Sequence, residues 1–472
     1  MIVSDVPRSL IWDILINRRI MNLVVRSLSL AGIVALVASA LGALFAILIE
    51  RTDLWMKKTW HALIVISMAI PSYVLAYAWV TIFPDMASFK GAIMILSLIT
   101  IPYSYLNIRS ALKNLDTSIE EVARSLGSSN LKTLGVVVLP QLRRSILSGM
   151  LIGVLYVITD FGAVSTLRVE VFTWVIYGSY RSGFSPERAA VLASLLFIIA
   201  SAIVLAESFA GKKQKRTNIA KVTHASRTLK LGKWNFLFQA ILAVYIGSLV
   251  GVPLVRSMGW VFQYKSAVSA ADLIDPFTNT LFLGTTVVAL AFVFAFSIAL
   301  FSTFSKIGLF IEKLVTAFHG IPGIVTAIAM VYVGTRIVPA IYLEWPLVVV
   351  ALCVAFSYLA IGPIKNSLEQ HSLAYIEKSY TLGKGKWGSM ARITLPLSTQ
   401  GIMAGSILVF VGVVKELPIT LLLRPNGENT LATTMWSNIS VSQYAVVAPT
   451  MLLLICLCVL PLLFLVKVKY DR

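Results

Sequence analysis

Residues 30–49, LAGIVALVASALGALFAILI, run for twenty positions without a charged side chain, and residues 190–206 and 444–466 repeat the pattern. An α-helix needs about 20 such residues to cross the hydrocarbon core of a bilayer. Within that core a backbone must satisfy its own N–H and C=O groups, which a helix does inside one segment. These runs restrict the chain to an all-α, polytopic membrane fold. Composition agrees, since 58% of the 472 residues are hydrophobic and 13% charged, against roughly 25% charged in soluble domains. Eleven spans are expected, near 29–49, 61–83, 88–106, 145–166, 189–207, 236–256, 278–302, 314–335, 346–364, 400–421 and 444–466. Residues 1–28 carry Asp5, Asp13 and four arginines, so no cleavable leader is expected there. Cys353, Cys456 and Cys458 all fall inside predicted spans and read as apolar packing residues.

The formal charge of +19 is unevenly placed. Of the 40 lysines and arginines, 27 lie in the alternate segments 51–58, 109–144, 212–233, 306–313, 365–392 and the tail from 467. Cationic loops stay in the cytoplasm, so the charge records topology, and no nucleic-acid partner is expected. An odd span count with a cytoplasmic C-terminus puts the N-terminus outside, together with Arg8, Arg18, Arg19 and Arg26. Residues 7–22 are expected to form an amphipathic helix in the membrane interface.

The chain repeats itself. Residues 119–149 and 375–405 align at a constant offset of 256, pairing Glu121 with Glu377, Gly127 with Gly383, Leu139-Pro140 with Leu395-Pro396 and Gly149 with Gly405. The register extends back to Arg109 and Lys365. A second match, SMAIPSYVLAYAW against FHGIPGIVTAIAM, pairs Ile70-Pro71 with Ile321-Pro322 at an offset of 251. Two tandem halves of the same topology follow, separated by a basic linker over 208–233 that carries Lys212, Lys213, Lys215 and Arg216.

Each repeated loop reads as a short amphipathic helix stopped by a glycine, then a second helical stretch leading to Leu-Pro, where the next helix begins. The pattern resembles the EAA loop of ABC-importer permeases. Glu121, Ala123, Gly127, Leu139 and Pro140 match it, and the second copy keeps Glu377, Gly383, Leu395 and Pro396 but has Ser379 in the alanine position. The resemblance implies two pseudo-two-fold-related permease halves: 1–207 with a coupling loop at 107–144, and 234–472 with a coupling loop at 365–399. It also implies that the loops dock on two copies of a separate ATPase subunit, which binds ATP and Mg. This chain has no G-x-x-x-x-G-K-[ST] phosphate loop, so it is expected to bind no cofactor and to catalyse no reaction. It is expected to be a multi-pass protein of the inner or plasma membrane.

Asp160 aligns with Glu416 at the offset of 256, both inside predicted spans, and Lys415 stands beside Glu416. Intramembrane ionisable groups are costly and face a water-filled path or each other. Two readings stay open: a translocation path with transient cation contacts, or helix-terminal hydrogen bonds and ion pairs that fix packing. No firm metal site is expected. The segments TDFGAV, VFTWVIY, KELPITLLLRP and NTLATTMW resemble the ferric-iron permeases. That resemblance implies an extracytoplasmic binding protein that delivers ferric iron, with thiamine, aminoethylphosphonate or a polyamine as alternative cargo. A secondary transporter of the major-facilitator type also has two similar halves, but it has no need of paired Glu-x-x-x-x-x-Gly loops ahead of a proline. The histidines His61, His224, His319 and His371 are too scattered for a membrane enzyme.

Overall fold

The computed structural model describes residues 9, 12, 14, 16–182, 186–210, 228–264, 271–317, 320–371, 385–441 and 443–470. In chain order the helices are α1 (Arg18–Arg51), α2 (Lys57–Ile66), α3 (Ser72–Val80), α4 (Phe89–Lys113), α5 (Ser118–Ser125), α6 (Asn130–Thr159), α7 (Gly162–Thr166), α8 (Phe172–Arg181), α9 (Pro186–Ala210) and α10 (Trp234–Gln263). They continue as α11 (Ala271–Phe304), α12 (Lys306–Ala317), α13 (Gly323–Arg336), α14 (Trp345–Phe356), α15 (Tyr358–His371), α16 (Lys386–Ser389), α17 (Thr399–Val414), α18 (Pro418–Leu423), α19 (Leu431–Ser440) and α20 (Tyr444–Tyr470).

Seven of these helices are long and apolar enough to cross a membrane, or nine if each bent pair is one span. The two remaining expected spans, 314–335 and 400–421, are occupied by the shorter apolar helices α13 and α17. The shortening has a local cause. Proline lacks an N–H and disfavours helix in the residue before it. At Ile70-Pro71 both residues are extended, and α2 with its 3₁₀ extension meets α3 at 91°. Pro322 is extended in the same way and opens α13. The expected interfacial helix over 7–22 is not separate at its end: Arg18 to Asn22 form the first turns of α1, capped by the Asn17 side chain accepting from the Arg19 N–H.

Two compact units emerge, one of residues 7–184 and 198–255, the other of residues 1–6, 185–197 and 256–472. The first is built on α1, α4 and α6, and the second on α11, α15 and α17, with each trio mutually packed. Lipid tails are as apolar as leucine, so membrane helices associate through close packing of small residues. Gly149 of α6 lies over Ser104 of α4, with room for a Cβ only 3.3 Å from the Ser104 Cα. Gly405 of α17 lies over Ala360 of α15, where a Cβ would come within 2.9 Å of the Ala360 Cα. Both residues of each crossing are related by the offset of 256.

The first unit also takes in the start of the second sequence half. α10 packs there through Trp60 Nε1 donating to Gln239 Oε1 at 2.6 Å, Trp79 Nε1 donating to the Ser248 carbonyl at 3.1 Å, and the Tyr245 hydroxyl donating to the Leu98 carbonyl at 3.2 Å.

Among the described residues, three prolines follow a widened turn, Pro140 and Pro253 within helices that continue and Pro396 in a short segment that ends at Ser398. A five-residue π-turn precedes each one: Leu134–Val138 before Pro140, Gly247–Gly251 before Pro253, and Met390–Thr394 before Pro396. A proline ring collides with the carbonyl four residues back and offers that carbonyl no N–H. The wider i→i+5 turn moves the carbonyl aside. The expectation that Pro140 begins a new helix is corrected accordingly, because α6 runs unbroken from Asn130 to Thr159.

Overpacking a well-packed site costs about 1–3 kcal/mol. Gly149→Leu and Gly405→Leu are therefore each expected to lower the thermal midpoint of the detergent-solubilised protein by several degrees. Gly32→Leu, whose Cβ meets open space, is expected to leave it near wild type. Equal losses at all three positions would remove the packing role of the first two.

Candidate functional site: the coupling loops and the capped breaks

The first repeated loop is fully described. α5 ends in two reciprocal backbone bonds, from the Ser128 N–H to the Ala123 carbonyl at 3.1 Å and from the Gly127 N–H to the Arg124 carbonyl at 2.9 Å. This closure requires a left-handed residue after the helix, and Gly127 supplies it with φ +86°. Ser129 then caps the start of α6, accepting from the Lys132 N–H. Glu121 is exposed, Ala123 half-buried, and Leu139 and Pro140 exposed. The same stretch of chain carries the exposed apolar side chains of Ile119, Val122, Leu126 (81% exposed), Leu131 and Val136. These positions are linked by short helical elements, α5 and the start of α6.

The neighbouring Glu120, which the repeat did not single out, is buried. Its carboxylate sits 2.9 Å from Arg51 Nη2 and 3.2 Å from Arg124 Nη2, with the Glu120 and Arg51 side chains 4% and 6% exposed. Arg51 Nη2 also donates to the Leu112 carbonyl at 3.4 Å, near the end of α4. A run of two glutamates in the sequence was the available signal, but which of them turns inward depends on where Arg51 lies.

A second cationic tie repeats in both halves. Arg109 Nε donates to Glu50 Oε1 at 2.6 Å, while Arg109 Nη1 lies 3.0 Å from His61 Nε2. In the other half Lys365 pairs with Glu312, which aligns with His61 at the offset of 251. Of the second coupling loop, Glu377, Ser379 and Gly383 lie outside the described residues, while Leu395 and Pro396 follow the same π-turn as their counterparts.

Asp160 and Glu416 occupy identical local positions. Each stands two residues ahead of a short helix, directly before its N-cap, and turns its carboxylate onto that helix's backbone. Asp160 Oδ1 accepts from the N–H groups of Ala163 at 2.9 Å and Val164 at 3.4 Å. Glu416 Oε1 accepts from the Ile419 N–H at 2.7 Å, and Oε2 accepts from the Thr420 N–H at 3.1 Å and its hydroxyl at 2.8 Å. These are the orphan donors of a helix start, where negative charge is also favoured by the helix dipole. Lys415 is half-buried and closes α17 as its C-cap, the end at which a cation is favoured.

Each capped helix packs on the helix that follows an Ile-Pro break. A Cβ at Gly162 would meet the Tyr73 ring at 2.7 Å, and one at Gly323 would meet Glu416 Oε1 at 3.1 Å. Among the described residues, no three His, Cys, Asp or Glu side chains converge as a metal-binding group.

Asparagine keeps a capping oxygen and alanine does not, a difference of about 1 kcal/mol. Asp160→Asn is therefore expected to unfold near the wild-type temperature and Asp160→Ala several degrees lower, measured on detergent-solubilised protein. Matching midpoints would show that the cap does not hold α7.

Comparison with known proteins completes the assignment. The sequence profile of the binding-protein-dependent transport system inner membrane components matches residues 38–217 and again 288–471. The chain is 30% identical over 471 residues to the Fe(3+)-transport system permease protein FbpB 2 of Haemophilus influenzae, covering 97% of this chain and 92% of that protein. It is also 26% identical over 190 residues to the molybdate/tungstate transport system permease protein WtpB of Pyrococcus furiosus, covering 39% of this chain and 76% of that one. The spermidine/putrescine transport system permease protein PotC of Haemophilus influenzae is 25% identical over 203 residues, covering 42% and 79%. A profile that matches twice, once in each sequence half, on a chain of repeated helical trios leaves one assignment: the chain is a fused, double-length member of the family of binding-protein-dependent transport system inner membrane components.

Proposed function

We propose that this permease is the membrane subunit of an ATP-driven importer that moves ferric iron, received from an extracytoplasmic binding protein, by alternating access. The observation that carries the iron reading is the full-length similarity to a ferric permease, which spans 97% of this chain, whereas the molybdate/tungstate and polyamine relatives align with about 40% of it. Two copies of an ATPase subunit, each holding ATP and Mg, supply the energy. Their docking face on the first loop is the exposed group of Glu121 and Val122 on α5 and Leu126 at its C-cap, with Leu131 and Val136 beyond the Gly127 turn. An exposed apolar patch rimmed by polar residues is a protein-interaction surface. By sequence alignment, Glu377, Ser379 and Gly383 are the residues proposed for the same role in the second half.

The coupling loops face the cytoplasm in this reading. α1 is 34 residues long, or about 51 Å at 1.5 Å per residue. Its end meets the first loop at Glu120, while Arg19 near its start pairs with Glu170 at 3.7 Å. The N-terminal arginines then lie outside, at the face where the binding protein delivers its cargo. Asp160 and Glu416 serve the pathway as caps that hold the interrupted helices, and Lys415 lies at the same break.

The reading is tested with the permease, its ATPase and its binding protein in proteoliposomes. ATP-dependent uptake of radiolabelled ferric iron is expected, with no uptake of thiamine, aminoethylphosphonate, putrescine or molybdate. Uptake of one of those instead of iron would replace the cargo and keep the transport class. A left-handed backbone costs an ordinary residue roughly 1–2 kcal/mol, so Gly127→Leu is expected to distort the turn between α5 and α6. The variant should insert in the membrane yet hydrolyse ATP with little uptake. Normal uptake by it would dismiss the loop as a coupling element.

A further inference from the structure

We propose that Glu120 is a positioning residue for coupling, whose ion pair with Arg51 delivers displacement of α5 to α1 and α4. The inference rests on the ATP-driven reading above and adds the internal joint through which the first loop acts. Glu121 is exposed and reachable by a partner; Glu120 points into the unit, and its carboxylate is shared by Arg51 of α1 and Arg124 of α5. Because Arg51 also reaches the Leu112 carbonyl of α4, one guanidinium gathers the ends of two membrane helices onto the coupling helix.

The joint is braced from behind. The segment after α1 is paired with the described end of the inter-half linker: the Leu229 N–H donates to the Arg51 carbonyl at 2.8 Å, and the Asp53 N–H to the Leu229 carbonyl at 3.0 Å. The Leu231 N–H donates to Asp53 Oδ1 at 2.7 Å, and Asn235 Nδ2 to the Asp53 carbonyl at 3.2 Å. Leu229 lines the same small cavity as Arg51, Glu120 and Arg124. Arg51 is thus held at its backbone while its side chain holds the loop.

Apolar packing would fix a loop at least as stably as these charges. Among the described residues, Arg51 Nε, Glu120 Oε1, Arg124 Nε and the nearby Thr133 hydroxyl are buried without hydrogen-bond partners, so Glu120 and Arg51 meet as a charge contact, and incompletely satisfied buried ion pairs contribute little net stability. What the charges add is a direction of attachment. The second half lacks the device in its sequence: Ile376 aligns with Glu120, and α11 passes to α12 through Ser305 alone. In sequence, therefore, the acid of this joint belongs to the first loop alone.

The test uses the complete complex in proteoliposomes with ferric iron as the probe, reading iron taken up per ATP hydrolysed. Glu120→Gln, which keeps shape and removes charge, is expected to lower that ratio at least fivefold while the loaded binding protein still stimulates hydrolysis. Glu120→Asp, which keeps the charge facing Arg51 and Arg124, is expected to retain at least half of it. If Glu120→Gln does not assemble, Arg51→Lys carries the same test, with a ratio at least twofold below wild type expected and an unchanged ratio overturning the inference. It is overturned equally if uptake, hydrolysis and thermal midpoint fall in parallel, the signature of a purely structural pair. Wild-type complex that moves no iron under ATP removes the iron-import reading and this inference with it. Wild-type uptake with an unaltered ratio in Glu120→Gln removes this inference alone.

Discussion

Hydrocarbon offers no hydrogen bonds, so each place where a helix of this chain is interrupted must supply partners from within the protein. Two kinds of remedy recur at these interruptions. Before Pro140, Pro253 and Pro396 the helix widens into a π-turn, so the carbonyl that the proline would strike is carried aside. At the breaks before α7 and α18 a carboxylate takes up the first free N–H groups of the new helix. A membrane fold built from broken helices is stable only with these local devices in place, and the rest of the architecture is arranged around them.

The devices come in pairs because the chain is a duplication. The π-turns before Pro140 and Pro396, the acids Asp160 and Glu416, the crossings at Gly149 and Gly405, and the cations Arg109 and Lys365 recur at one offset. The halves differ where they meet other things. The joint at Glu120 and the five-residue link between α1 and α2 belong to the first half, and the linker's end is paired against that link.

Much of the fold was legible in the sequence because burial in lipid demands long uncharged runs, and those runs became helices. The breaks were not anticipated, although Ile-Pro pairs and acids inside apolar segments stand at them. What the acids do was not legible, since a carboxylate two residues ahead of a helix caps it only if the intervening backbone turns that way. The choice between Glu120 and Glu121 was hidden for a related reason. Adjacent residues on a helix point about 100° apart, and only the position of Arg51, far upstream in the chain, decides which of them is enclosed. Pro140 misled because a proline before an apolar run reads as a helix start, whereas here the π-turn lets the helix continue through it.

The packing of α10 against α2, α3 and α4 bears on how the chain comes to exist. Trp60, Trp79 and the Leu98 carbonyl find their partners in Gln239, Ser248 and Tyr245, which the ribosome makes only after the whole first half and the linker. Until then these groups of the first unit lack the partners that α10 brings. Its maturation during synthesis is thus timed by the second half, and a nascent chain that stalls in the linker leaves an incomplete unit for quality control to recognise.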